Sequence, residues 1–147
     1  MSFTTLLLDL DDTVYPASSG LWDAIGRRIN QFMIEKVHLP EKGIIDLRER
    51  LFHTYGTTMR GLAAEYHVNE LEYLAFVHDV PLNEYIHPDP DLRQALMDVS
   101  QKVIIFTNAD TAHARRVLNV IGINDLIPQV IDILAISPFC KPQKGAF

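Results

Sequence analysis

The sequence is short of nearly everything that marks a secreted, membrane-bound or nucleic-acid-binding protein. It has one cysteine, Cys140, so no internal disulfide can form and a reducing compartment is expected. No stretch approaches the ~18 consecutive apolar residues of a membrane span. The N-terminus, MSFTTLLLDLDD, lacks the basic flank and the apolar length of a signal peptide. Basic residues are outnumbered, 13 Lys and Arg against 19 Asp and Glu, giving a net charge of −6. They are also scattered, which argues against the basic face that a nucleic-acid polymer needs. These absences predict a cytoplasmic protein whose partner is neither a membrane nor a nucleic acid. A small phosphorylated molecule remains open, since one lysine and a metal suffice to hold it.

What is present is enough apolar material for a real core: 48% of 147 residues. That length suits one ordinary domain, or a small core carrying an insertion. FTTLLL, residues 3–8, reads as a strand whose apolar end suits a central position covered by helices on both sides. From Tyr15 to Pro88 the texture is helical and no strand is expected. Ser18 or Ser19 precedes Trp22, Ile25, Ile29, Phe32 and Met33 at helical spacing. A second helix follows Pro40, carries Ile44, Ile45, Leu47, Leu51 and Phe52, and stops at Gly56. Thr57 or Thr58 opens a third, and Asn69 with Glu72 opens a fourth as a capping box. His78 and His87 read as surface histidines.

Asp89 and Pro90 then start a helix, KVIIFTNA at 102–109 is a second buried strand, and DTAHARRVLNVIG is a helix closed by Gly122. VIDILA from Val130 is a third strand. Strands separated by helices predict an α/β fold with a Rossmann-like parallel sheet. The expected division is a core of residues 1–14 and 89–147, with an inserted all-helical cap at 15–88.

In such sheets ligands sit beyond the carboxyl ends of the strands. Asp9 and Asp11 follow the first strand, Thr107 and Asn108 end the second, and Lys141 lies past the third. An aspartate carboxylate can attack phosphorus, and magnesium is commonly shared between carboxylates and a phosphate. A threonine hydroxyl, nearby backbone amides and a lysine would neutralise the rest of the anion. Each feature also has a duller account: Asp-Asp-Thr as a turn, Thr-Asn as a helix cap, Lys-Pro as a solvated loop.

In combination, Asp9 to Val14, IIFTN with Thr107, and Lys141–Pro142 resemble the motifs of the haloacid dehalogenase-like hydrolases. YPASSGLW, YGTTMRGL, PDPDLR, FTNADTAHARRVL and CKPQKGAF are similar to its plant and fungal pyrimidine 5′-nucleotidase branch. The resemblance implies a phosphoric monoester hydrolase with a helical cap and Mg2+ as cofactor. It implies that Asp9 is nucleophile and metal ligand. Asp11 is then the general acid and base, with its backbone carbonyl on the metal. Thr107, Asn108 and Lys141 would bind phosphate, and Tyr55, Thr58 and Arg60 in the cap are candidates for the leaving group. Asp12 is expected to serve turn geometry or face solvent. The substrate implied is a small phosphometabolite such as a pyrimidine nucleoside 5′-monophosphate.

The family's fourth motif, an acidic pair after a further strand, has no counterpart up to Phe147. From the resemblance this predicts a C-terminally truncated form that binds magnesium weakly and turns over poorly. It also predicts an unpaired apolar edge at LLLDL, open to self-association. An inert fragment that binds a phosphate ligand or a partner chain is therefore the alternative to an enzyme. A phospho-acceptor receiver fits worse, because it has no room for a helical insertion after its first strand.

Overall fold

A computed structural model describes residues 3–147. It forms two compact units, one from the N-terminal residues to Trp22 with Pro81–Pro138, the other from Asp23–Val80 with Phe139–Phe147.

The first unit holds the sheet. Strands β1 (Thr5–Leu8), β2 (Lys102–Phe106) and β3 (Gln129–Ile131) lie in the order β1-β2-β3, both pairs parallel. Thr5 pairs with Lys102 and Leu8 with Ile105; Ile104 pairs with Gln129 and Phe106 with Ile131. This is the α/β, Rossmann-like arrangement that the alternation of strand and helix predicts. The middle strand is the buried one, with Val103, Ile104, Ile105 and Phe106 all inside, and each such side chain contributes about 2 kcal/mol by leaving water.

The first strand takes the second of two expected places. β1 is the unpaired apolar edge that the absent fourth motif implied, with Leu6 and Leu7 exposed at 41% and 49%, and not the covered central strand that its apolar run alone suggested. The third strand is shorter than VIDILA. Asp132 ends it, because its carboxylate accepts from the amides of Leu134 and Ala135 and turns the chain.

Two helices of this unit follow local chemistry closely. The helix Pro90–Met97 starts at Asp89, whose side chain accepts from Leu92 N, with proline in the first turn. The helix Thr111–Ile121 starts at Asp110 and ends at Gly122, which takes the left-handed φ of 87° that L side chains avoid. It buries Ala114, Val117, Leu118 and Ile121.

The second unit is helical. In chain order the helices are α1 (Leu21–Glu35, which begins in the first unit), α2 (Ile44–Tyr55), α3 (Thr58–Tyr66) and α4 (Glu70–Val77), followed by the two of the first unit, α5 (Pro90–Met97) and α6 (Thr111–Ile121). Thr57 caps α3 by accepting from Arg60 N, and Asn69 caps α4 by accepting from Leu71 N and Glu72 N. Phe32 meets Tyr73 and Phe76 edge-on, with ring centroids 5.2 and 5.3 Å apart. Arg48 of α2 reaches Gly26 O at 3.0 Å and Asn30 Oδ1 at 3.1 Å on α1. Of the apolar residues in α2, Ile44 and Leu51 are buried, whereas Ile45 and Phe52 face solvent. His87 is exposed as expected. His78 is not a surface residue: it is buried at the C-terminal end of α4, where its amide donates to Leu74 O.

Candidate active site

The turn after β1 is built by residues that flank the acidic ones. Leu10, Val14 and Tyr15 are buried and anchor it. Leu10 O accepts from Thr13 N at 3.2 Å and Val14 N at 3.0 Å. Asp12 adopts a left-handed φ of 55°, a conformation that Asp tolerates better than most residues, so its place is turn geometry. Asp9 is exposed and its Oδ1 accepts from Leu10 N at 2.8 Å. Asp11 is half-buried, and two side chains converge on its Oδ1: Tyr15 Oη at 2.6 Å and His113 Nε2 at 3.2 Å. Burial, and then the charge of Asp11, pushes the Tyr15 phenol far above its ordinary value. It stays a protonated donor throughout the working pH range. Against an ionised Asp11 carboxylate, which only accepts, the Nε2–H tautomer of His113 makes this contact a second hydrogen bond.

The β1 and β2 strands are parallel neighbours, so Asp9 and Thr107 follow strand ends at the same edge of the sheet. Thr107 is 1% exposed; its amide donates to Ile131 O at 3.0 Å and its Oγ1 accepts from Ala109 N at 2.9 Å. That contact uses a lone pair, and the hydroxyl proton remains a donor for an anion. Asn108 beside it is half-buried.

The next helix is capped by neither Thr107 nor Asn108. Asp110 caps α6 by accepting from His113 N at 2.6 Å. Asp132 secures the same turn, its Oδ2 accepting from Thr111 N at 2.9 Å and Thr111 Oγ1 at 2.7 Å. The amides of Ala109, Thr111 and His113 thus serve Thr107, Asp132 and Asp110. An anion beside Thr107 would have to compete for them.

The other candidates belong to the second unit. Lys141, half-buried, sits in a turn where Gln143 N donates to Cys140 O at 2.8 Å and Cys140 N donates to Gln143 Oε1 at 3.0 Å. Cys140 plugs that turn: it is 0% exposed, with Sγ 3.7 Å from Tyr55 O. Burial pushes its thiol upward, which suits a packing residue and not a nucleophile. Arg60 is buried, paired with Glu70, and its Nη2 donates to Phe139 O at 3.3 Å. Thr58 is buried at the start of α3, and Tyr55 Oη donates to Glu65 Oε1 at 3.1 Å. The structure therefore groups Asp9, Asp11, Thr107 and Asn108 in one unit, and Tyr55, Thr58, Arg60 and Lys141 in the other.

Gly56 explains how the Lys141 turn is seated. It ends α2 with φ 85°, and a Cβ there would lie 2.4 Å from Cys140 Sγ. Gly56→Ala should therefore destabilise the protein by about 2 kcal/mol, from left-handed strain plus overpacking. Adding Cys140→Ala should recover part of that loss, because the clash partner is removed. Denaturant unfolding of the two singles and the double measures the coupling, and strict additivity would refute the account.

Among the described residues, no three His, Cys, Asp or Glu side chains gather into a metal cage. The chemistry of the β1 turn nevertheless fits magnesium. The exposed Asp9 carboxylate and the Asp11 peptide carbonyl are hard oxygen donors, and Mg2+ ordinarily takes one or two carboxylates with phosphate and water. Among the described residues no helix is long and apolar enough to cross a membrane.

A model of the haloacid dehalogenase-like hydrolases matches residues 3–147. The chain belongs to that family. Phosphate metabolism protein 8 of Saccharomyces cerevisiae (strain ATCC 204508 / S288c) is 28% identical over 153 residues, covering 95% of this chain and 48% of the relative. The chain thus spans about half the length of this curated relative. Within this hydrolase framework, Tyr15, His113 and Asp132 are the residues around the acidic turn and α6 that motif reading passed over. A signal existed for one of them: His113 lies three residues after an Asp that precedes a helix, where an N-cap carboxylate fixes the backbone.

Proposed function

We propose that the chain hydrolyses phosphate monoesters through an aspartyl-phosphate, acting on a small phosphometabolite such as a pyrimidine nucleoside 5′-monophosphate. The observation that carries this is the unequal setting of two carboxylates on one turn. Asp9 is exposed, whereas Asp11 is half-buried with two donors on one oxygen. Neighbouring carboxylates in different surroundings take different roles.

In the first step a carboxylate oxygen of Asp9 attacks phosphorus, the bond to the ester oxygen breaks, and protonated Asp11 gives its proton to the leaving alcohol. In the second, water attacks phosphorus and its proton passes to Asp11. The bond between phosphorus and Asp9 then breaks, releasing phosphate. The Thr107 hydroxyl donates to a phosphate oxygen, and Asn108 assists. Asp9 and the Asp11 carbonyl would hold Mg2+, which when bound would neutralise phosphate charge.

The assignment of phosphate binding to Lys141, of leaving-group selection to Tyr55, Thr58 and Arg60, and the preference for pyrimidines all rest on sequence resemblance. The free buried thiol of Cys140 supports a reducing, cytoplasmic setting. The test is release of phosphate from p-nitrophenyl phosphate and from pyrimidine and purine monophosphates, with magnesium and after its chelation. Magnesium-dependent release, faster with pyrimidines, is expected. A folded, monodisperse sample without release would overturn the proposal in favour of a chain that binds phosphate without turnover.

A further inference from the structure

We propose that Tyr15 and His113 are positioning residues that clamp the Asp11 carboxyl group at Oδ1, so that the group shuttling the proton holds one orientation through both steps. The inference rests on the acid–base role given above to Asp11, and names the residues on which that role depends.

The two donors come from different parts of the first unit. Tyr15 lies one turn beyond Asp11, is 5% exposed, and reaches Oδ1 at 2.6 Å. The His113 side chain is completely buried and reaches the same oxygen at 3.2 Å from 102 residues away. A buried histidine and a buried tyrosine aimed at a single carboxylate oxygen form a fork, and a fork fixes both torsions of a short side chain better than one bond does.

The second donor is itself braced. Asp110 takes the His113 amide at 2.6 Å, and Asp132 takes the Thr111 amide at 2.9 Å and the Thr111 hydroxyl at 2.7 Å. These bonds lock the first turn of α6, so the imidazole is presented from a rigid element and not from a mobile loop. Such backing is what a proton-transfer group requires, since misplacement by about 1 Å can cost 10²-fold in rate.

Four variants of the full chain test the clamp: Tyr15→Phe, His113→Ala, His113→Gln and the double Tyr15→Phe/His113→Ala. Each is first checked for an unchanged fold by its amide spectrum. On p-nitrophenyl phosphate, Tyr15→Phe and His113→Ala should each lower kcat on the order of tenfold with KM nearly unchanged. Gln carries an Nε2 amide where the ring carried its Nε2–H, and should restore kcat to within about threefold of the parent. A purely packing role predicts no rescue by Gln, because the amide replaces a flat ring poorly.

A second readout does not depend on turnover. At fixed pH, the side-chain carboxyl carbon of Asp11 should shift in its NMR resonance when either donor is removed, while that of Asp9 stays in place. An Asp11 resonance that is the same in the parent, Tyr15→Phe and His113→Ala would overturn the clamp whatever the kinetics. Equal losses in His113→Ala and His113→Gln would overturn it too. A parent chain that releases no phosphate, with the Asp11 resonance moving as expected, would instead overturn the hydrolase reading, and with it the catalytic role of the fork.

Discussion

Replacing Asp9 by asparagine should abolish phosphate release, by on the order of 10³-fold or more, while leaving the fold intact. The reason lies in what the substitution keeps and what it removes. The Asp9 side chain is exposed, and its Oδ1 accepts from Leu10 N at 2.8 Å. Asparagine retains that carbonyl oxygen, so the local contact that shapes the start of the turn survives. The buried anchors Leu10, Val14 and Tyr15 are untouched. What disappears, on the proposed mechanism, is the negative oxygen that would attack phosphorus, together with the carboxylate that would ligate magnesium. An amide is a poor nucleophile, and no neighbour in the turn can replace it: Asp12 is committed to a left-handed backbone and Asp11 is held by Tyr15 and His113. The measurement is initial rate on p-nitrophenyl phosphate in saturating magnesium, alongside thermal unfolding of both proteins. A variant that keeps more than about a tenth of the parental rate would remove Asp9 from the nucleophile's role, because loss of a covalent nucleophile costs far more than that. Asp9→Glu is a useful companion: it restores the charge but displaces the oxygen by one methylene, and should remain impaired by about 10²-fold.

The parts of this structure that were legible in the sequence are those decided within a few residues. Thr57, Asn69 and Asp89 cap the helices that follow them, and Gly56 and Gly122 end helices with left-handed φ. Each choice is made by a side chain reaching its own backbone, or by a glycine where a Cβ would be strained. The order of strands and helices was legible for a related reason, since alternating element types leave few topologies. The acidic turn was visible because Asp9 and Asp11 directly follow an apolar run.

What was hidden is what depends on distance along the chain. An apolar run such as LLL is the same in a central strand and in an edge strand, so the edge position of β1 was expected from the family resemblance and not from the run itself. In VIDILA the single aspartate looked like an interruption of a strand, whereas it ends the strand by gathering four donors, two of them from 21 residues earlier. His113 sits within a helical pattern that its neighbours Ala114 and Val117 explain adequately as core. The N-cap Asp110 marks its backbone position locally, but its contact with Asp11 spans 102 residues, and no local rule points to that contact.

Asp132 carries the second large expectation, one of stability first and chemistry second. It is 9% exposed and its two oxygens divide the work. Oδ1 accepts from Leu134 N at 3.1 Å and Ala135 N at 2.9 Å, which forms the turn after β3. Oδ2 accepts from the amide and hydroxyl of Thr111, which ties that turn to the first residue of α6. Asp132→Ala deletes all four acceptor contacts at once. Thr111 and Ala135 are exposed enough for water to replace part of what is lost, so the cost should be about 3 kcal/mol, not the sum of four charged hydrogen bonds. For a chain of this size that corresponds to a fall in Tm of about 10 °C. Asp132→Asn separates the two halves of the role: its carbonyl oxygen can still accept from Leu134 and Ala135, but its NH2 faces the Thr111 amide, a donor, and only the Thr111 hydroxyl can turn to accept from it. It should therefore fall between the parent and the alanine variant. The catalytic consequence follows from the same geometry, since Thr111 and His113 share the first turn of α6. Loosening Thr111 loosens the imidazole that braces Asp11, and turnover measured well below the variant's Tm should drop with KM little changed. An alanine variant that unfolds within about 1 kcal/mol of the parent would show that water substitutes fully for the carboxylate. The rigidity of α6 would then have to come from Asp110 and core packing alone.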